Sequence, residues 1–190
     1  MSGITICGYL WIAFFVLWMV WAVVSRKPTQ FRESVSSRLS YTIVTVVAFY
    51  LMFSGDVPGE WLHTRLFARS PATSILAVML TAGGLGFAVW ARAYLGRNWS
   101  GNVTVKVDHQ LIRTGPYRWV RHPIYSGMIV AMIGTALDKR QLRCMIAVVL
   151  LYAGFKIKSR IEERTMMKTF GPDYDAYSRS TGAIVPKLRA

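Results

Sequence analysis

The chain has 190 residues, 53% of them hydrophobic and only 17% charged, with a mean hydropathy of +0.33. That is more apolar surface than an ordinary soluble domain of this size carries, so an integral membrane protein is the class to test first. The 23 Lys and Arg against 9 Asp and Glu sit in short stretches that flank uncharged runs. They form no separate basic domain and no nucleic-acid motif, so the positive charge points to loops at an anionic membrane surface and away from a nucleic-acid partner.

A membrane-spanning helix needs about 20 apolar residues, and five uncharged runs are candidates. The first, 1–25, has neither a positive leading region nor a small-residue cleavage site, which predicts a retained helix and not a signal peptide. The second, 39–55, follows Arg38, and the third, 70–91, lies between Arg69 and Arg92. Gly83, Gly84 and Gly86 fall inside the third run. No strand precedes them and no helix starts there, so they predict close helix packing, within the chain or between two copies, and not a nucleotide loop.

Residues 92–122 then form a polar stretch of about 30 residues, longer than a connection between packed helices usually is. Gly115-Pro116 prevents a regular helix there and leaves backbone groups free for a ligand. The fourth and fifth runs, 123–137 and 144–155, are shorter. They predict a helical hairpin turned by Asp138, Lys139, Arg140 and Gln141. Pro123 suits the first turn of the fourth helix, where its missing N–H costs nothing. From Lys156 the fifth helix continues past the apolar run without a break as far as Gly171-Pro172.

Orientation follows from the excess of Lys and Arg in cytoplasmic loops. Segments 25–38, 92–122 and 156–190 hold 4, 6 and 8 of them, against 2 and 3 in 56–70 and 138–143. The N-terminus is therefore expected outside, with the C-terminus and all candidate chemistry in the cytoplasm. Cys7 and Cys144 both lie in apolar runs and read as buried small hydrophobes. No metal site is expected.

Two clusters carry chemistry. Arg121-His122-Pro123-Ile124-Tyr125 stands where the polar stretch meets the fourth helix, whose N-terminal amides and partial positive charge suit an anion. Lys158 and Glu162 are four apart and share a helix face just past the membrane. Glu163 and Arg160 lie beside them, Arg160 on another face. Because the two helices of a short hairpin are neighbours, this face can meet the His122 cluster.

Taken in order, Leu95-Gly96-Arg97-Asn98-Trp99, His109-Gln110-Leu111-Ile112, Gly115-Pro116-Tyr117, Arg121-His122-Pro123-Ile124-Tyr125, Glu162-Glu163, Phe170-Gly171-Pro172-Asp173-Tyr174 and Tyr177 resemble the isoprenylcysteine carboxyl methyltransferase family, within a wider group that includes phospholipid methyltransferases. The resemblance covers about half the chain, 92–186. It implies an all-α integral membrane enzyme of five transmembrane helices, the last two a hairpin, with a cytosolic cofactor-binding loop and a C-terminal helical tail. Residues 1–91 are then three N-terminal membrane helices, and 92–190 the cofactor-binding core with helices four and five.

The implied cofactor is S-adenosylmethionine, with S-adenosylhomocysteine as product. By the family pattern His109, Gln110, Leu111, Ile112, Tyr117, His122, Pro123, Ile124, Tyr125 and Glu162 line its pocket. Lys158 and Arg92 are the candidate catalytic residues. Lys158 stands where the family places a basic residue beside the acceptor, and Arg is the more usual residue for a two-point grip on a carboxylate. The acceptor is accordingly left open between a carboxylate or thiol of prenylcysteine type and a lipid; membrane lipids are the expected surroundings and a homo-oligomer is compatible. Two rival readings share the pattern: a sterol-type reductase using NADPH, against which the Glu162-Glu163 pair counts, and a lipid-binding membrane protein without turnover.

Overall fold

The computed structural model describes residues 2–24, 29–106 and 110–187. Three helices, α1 (Gly3–Val24), α2 (Val35–Phe53) and α3 (Pro71–Leu95), are long and apolar enough to cross a membrane. Their outer faces carry exposed Ile, Val, Leu, Met and Phe along most of their length. In water that surface would be costly; against lipid tails it is the favoured one. Two further helices follow, α4 (Pro123–Lys139) and α5 (Leu142–Phe170), joined by Arg140 and Gln141, and a short α6 (Pro172–Ser180) ends the fold.

Local sequence explains most of the boundaries. Ser70 caps α3 reciprocally with Thr73, with Pro71 at the first helical position. Pro123 opens α4 as expected. Gly171, at φ 50°, ends α5 in a left-handed conformation that a side chain would resist. One feature adds to the all-helical expectation: β1 (Thr29–Arg32) pairs antiparallel with β2 (Thr104–Lys106). This ribbon ties the α1–α2 connection to the long polar stretch. Buried Glu33 reinforces the tie, accepting from the Val103 N–H at 2.9 Å, from the Ser37 hydroxyl at 3.1 Å and from the Tyr41 hydroxyl.

Packing is not in chain order. α4 lies along α3, and α5 along α2, while α1 leans on α3 and α4. The α3–α4 seam is backbone against backbone. A Cβ at Gly84 would come within 2.5 Å of the Gly127 carbonyl, one at Gly127 within 2.5 Å of the Gly84 carbonyl, and one at Gly134 within 2.6 Å of the Ala77 carbonyl. Of the three α3 glycines, only Gly84 serves this seam; Gly83 and Gly86 face open space. Hydrogen bonds pin α1 to the seam: the Trp11 indole donates to Thr135 at 2.9 Å, and the Cys7 thiol to Thr81 at 3.5 Å.

The two ends of the bundle differ. At one end the Leu66 N–H donates to Arg140 at 2.9 Å and the Leu142 N–H to Thr64 at 3.1 Å, while buried Arg143 donates to the Leu51 carbonyl at 3.1 Å. Asp138 sits there against the start of α1 at Gly3 and faces Arg69 at 3.8 Å. The other end gathers the ribbon, the polar stretch, the far half of α5 and α6.

Candidate active site

A cavity of about 340 Å³ opens at this second end, within the usual size range of small-molecule sites. Its walls come from several parts of the chain, α6 with Tyr174 and Tyr177 among them. The polar stretch supplies 98–104 and 110–112; α4 brings Ile124, Tyr125 and Met128; α5 brings Phe155, Lys158, Glu162 and Met166; and α1 brings Phe14, Phe15 and Trp18. One end is therefore charged and the other aromatic and apolar.

The charged end is built around His122. Its Nδ1 lies 3.2 Å from Glu162 and its Nε2 3.1 Å from Glu163. With a carboxylate on each ring nitrogen, the imidazole is held protonated: burial opposes the charge, but the two carboxylates outweigh it and raise the His122 pKa above its ordinary value. Burial pushes the Glu162 carboxyl up, and His122, Lys158 and the Tyr125 hydroxyl at 2.6 Å more than reverse this, so it stays ionised. Glu163, likewise opposed by burial, is brought down to about 2 by His122 and Arg121. Arg121 donates to Glu163 at 2.7 and 2.9 Å and to the Ser178 and Thr181 carbonyls, so one guanidinium fastens α5 to the C-terminal end of α6.

The segment after α6 completes this end. It crosses the start of α4, where the Arg121 N–H donates to Gly182 at 2.8 Å and the His122 N–H to Ala183 at 2.9 Å. The backbone just before Pro123 is thus fixed at the entry to α4. Tyr177 donates from its hydroxyl to the Tyr117 carbonyl at 2.6 Å, joining α6 to the polar stretch.

Lys158 lines the cavity as well. Its ammonium donates to the Gly101 carbonyl at 2.7 Å and lies 5.2 and 5.5 Å from the rings of Tyr41 and Tyr125. It makes no ion pair with Glu162 within 4.0 Å. The cation therefore faces the cavity across aromatic surface.

Of the residues singled out from sequence, Gln110, Leu111, Ile112, Tyr117, His122, Ile124, Tyr125, Lys158 and Glu162 all line the cavity. His109 lies outside the described residues. Pro123 is buried behind the wall in the first turn of α4. Arg92 is not brought to the wall either. Its side chain is fully buried at the end of α3, with the guanidinium 4.0 Å from the centre of the Trp99 ring and 4.9 and 5.9 Å from those of Trp21 and Trp18. It reaches the cavity only through Trp18 and Trp99, which do line it. Arg160 points outward and is exposed.

As a stretch of sequence, α1 reads only as an apolar membrane helix. The signal for the cavity wall was present: Trp11, Phe14, Phe15, Trp18 and Trp21 recur at three- and four-residue steps, an aromatic stripe on one helix face. Nothing local marks Glu33, a single acid in a short connection, as buried.

Three membrane-length helices in a bundle with a small-molecule-sized cavity at one end define an integral membrane protein with a built site. The chain belongs to the phospholipid methyltransferase family, whose defining pattern matches residues 72–173. It is 31% identical to the protein-S-isoprenylcysteine O-methyltransferase of Saccharomyces cerevisiae over 128 residues, 64% of this chain and 54% of that one. It is 30% identical to the nickel-cobalt-cadmium resistance protein NccN of Alcaligenes xylosoxydans xylosoxydans over 118 residues, 61% of this chain and 54% of that one. The solved structure of the eukaryotic intramembrane Ras methyltransferase, isoprenylcysteine carboxyl methyltransferase, is similar at a TM-score of 0.52 and 27% identity, over 77% of this chain and 52% of that one. The chain thus spans about half the length of these relatives.

Proposed function

We propose that the protein transfers a methyl group from S-adenosylmethionine to a lipophilic acceptor dissolved in the membrane, leaving S-adenosylhomocysteine. The observation that carries this reading is one cavity lined both by His122, Glu162 and Lys158 and by Phe14, Phe15, Trp18 and Phe155. The charged end fits the cofactor's unlike parts. His122 and the α4 amides suit its carboxylate, Glu162 suits its ammonium group, and Leu111, Ile112 and Tyr117 offer apolar surface to the rest. When bound, the cofactor supplies an electrophilic methyl on a sulfonium.

The chain's own residues then have the task of alignment, because in-line displacement gains most from a positioned acceptor. Phe14, Phe15, Trp18, Met128 and Phe155 hold the lipophilic part, and Lys158 attracts an anionic head. A carboxylate or thiolate needs no base. An amine would need one, and His122 is a poor one, since both its nitrogens are engaged by Glu162 and Glu163. This favours the carboxylate or thiol acceptor over a lipid amine. Arg92 acts as a positioning residue, holding the Trp18 and Trp99 rings in the wall.

The same reading has all five helices crossing the bilayer, with the N-terminus outside and the site cytoplasmic; 92–190 holds the cofactor core and 1–91 the membrane support. Titration calorimetry on the purified protein tests it. Saturable binding of S-adenosylhomocysteine with none of NADPH is expected, and Glu162→Ala should weaken that binding at least about tenfold, as loss of a charged hydrogen-bond acceptor implies. NADPH binding without cofactor binding would assign a reductase instead. Cofactor binding with no label transferred to any lipid, thiol or peptide fraction of a membrane extract would leave a binding protein without turnover.

A further inference from the structure

A second hollow, of about 320 Å³, lies at the same end of the bundle and shares Tyr177 with the cavity. It is lined by Arg113, Arg118, Ser180 and Thr181, with Ala176. Neither arginine has a carboxylate within 4.0 Å among the described residues. Two guanidinium groups on one small hollow repel each other, and an anion between them removes the repulsion. Guanidinium forks suit the oxygens of a phosphate ester.

The depth of the hollow says where that phosphate comes from. Trp119, next to Arg118, packs edge-on against Trp90 of α3 at 5.7 Å, and Trp90 against Tyr94 at 5.8 Å. All three rings are exposed, at 47, 39 and 44%. Exposed Trp and Tyr on the last turns of a membrane helix mark the level of the lipid headgroups. The Arg118 guanidinium lies 5.9 Å from the Trp119 ring centre, so the hollow opens beside this belt.

We propose that the hollow binds the headgroup phosphate of an anionic membrane lipid. The site is distinct from the cavity yet joined to it. Gln110, Leu111 and Ile112 line the cavity, and the next residue, Arg113, lines the hollow. Tyr177 forms a wall of both and holds the Tyr117 carbonyl. A bound headgroup therefore fastens the stretch that covers the cavity, and should tighten binding there; this coupling rests on the function proposed above, whereas the lipid site does not.

The test uses the whole protein in phosphatidylcholine nanodiscs containing some phosphatidylglycerol, with lipid retention read by native mass spectrometry after release into detergent and no cofactor present. Wild type is expected to retain phosphatidylglycerol over phosphatidylcholine, and R113Q/R118Q to lose that preference by about tenfold, the effect of one lost charge-assisted contact or more. Arg118→Gln alone, on an exposed side chain, gives the same test if the double variant is unstable. Arg160→Gln, an exposed charge elsewhere, should change nothing. Retention unaffected by loss of Arg118 would overturn the site. Release of the lipid by millimolar inorganic phosphate would overturn its assignment to a lipid and make it a site for a soluble anion.

Discussion

At the residue scale, the charged end of the cavity is a cluster of two cationic and two acidic side chains in hydrogen-bond contact. Arg121, His122, Glu162 and Glu163 share their hydrogen bonds so that each carboxylate meets at least one cation. The pH dependence follows with opposite signs at the two limits. His122 has a raised pKa, so its contribution to stability is complete below its ordinary value of about 6.5 and is lost as pH rises through the raised one. Glu163 has a lowered pKa, so its contribution is present above its ordinary value and is lost as pH falls toward about 2. The melting temperature in detergent should therefore fall on the alkaline side of about pH 6.5, and His122→Asn should flatten that limb; an unchanged limb would mean that His122 is neutral in the fold. Lys158 separates binding from turnover. Lys158→Ala should leave S-adenosylhomocysteine affinity within about threefold yet lower kcat by about tenfold or more, the scale of one lost transition-state contact. If both constants stay normal, Lys158 is only a surface charge.

At the element scale, α3 and α4 approach through glycine backbones. A side chain at Gly84 would meet the Gly127 carbonyl and the Ala131 N–H, neither of which can rotate away. Gly84→Val should cost about 1–3 kcal/mol or more, as overpacking does, seen as a lower melting temperature in detergent. Gly83→Val is the control. Its Cβ meets nothing within 4 Å, so equal destabilisation by both would remove the seam from the account. The pattern of small residues in α3 was legible in sequence, but the choice among Gly83, Gly84 and Gly86 was not, because it depends on the rotation of α3 against a helix some forty residues away.

At the scale of the whole molecule, the charge difference between the two sets of loops and the two ends of the bundle coincide. Among the described residues, 29–38, 92–106, 110–122 and 156–187 belong to the cavity end, while 56–70 and 138–143 meet at the other, through the Leu66–Arg140 and Thr64–Leu142 hydrogen bonds. Five passes with the N-terminus outside would give this arrangement. Since Cys7 and Cys144 are buried, single cysteines introduced at exposed Glu60 and Arg164 can report sidedness in intact cells. An impermeant maleimide should label Glu60→Cys and spare Arg164→Cys; the reverse would invert the topology. α4 rests on α3 and α5 on α2, each beside a helix long and apolar enough to cross a membrane.

The sequence by itself determined membrane insertion, the helix boundaries and the stretch that carries the family pattern. Each of these is a local quantity: apolar run length, a cap, a proline, a glycine, an ordered motif. Only the tertiary structure decided which faces meet. It put the aromatic stripe of α1 into the cavity wall, drew Glu33 onto Val103, set His122 between two carboxylates and turned Arg92 away into a cage of Trp rings. Contacts between segments far apart in the chain depend on helix rotation and crossing, and no window along the sequence contains them.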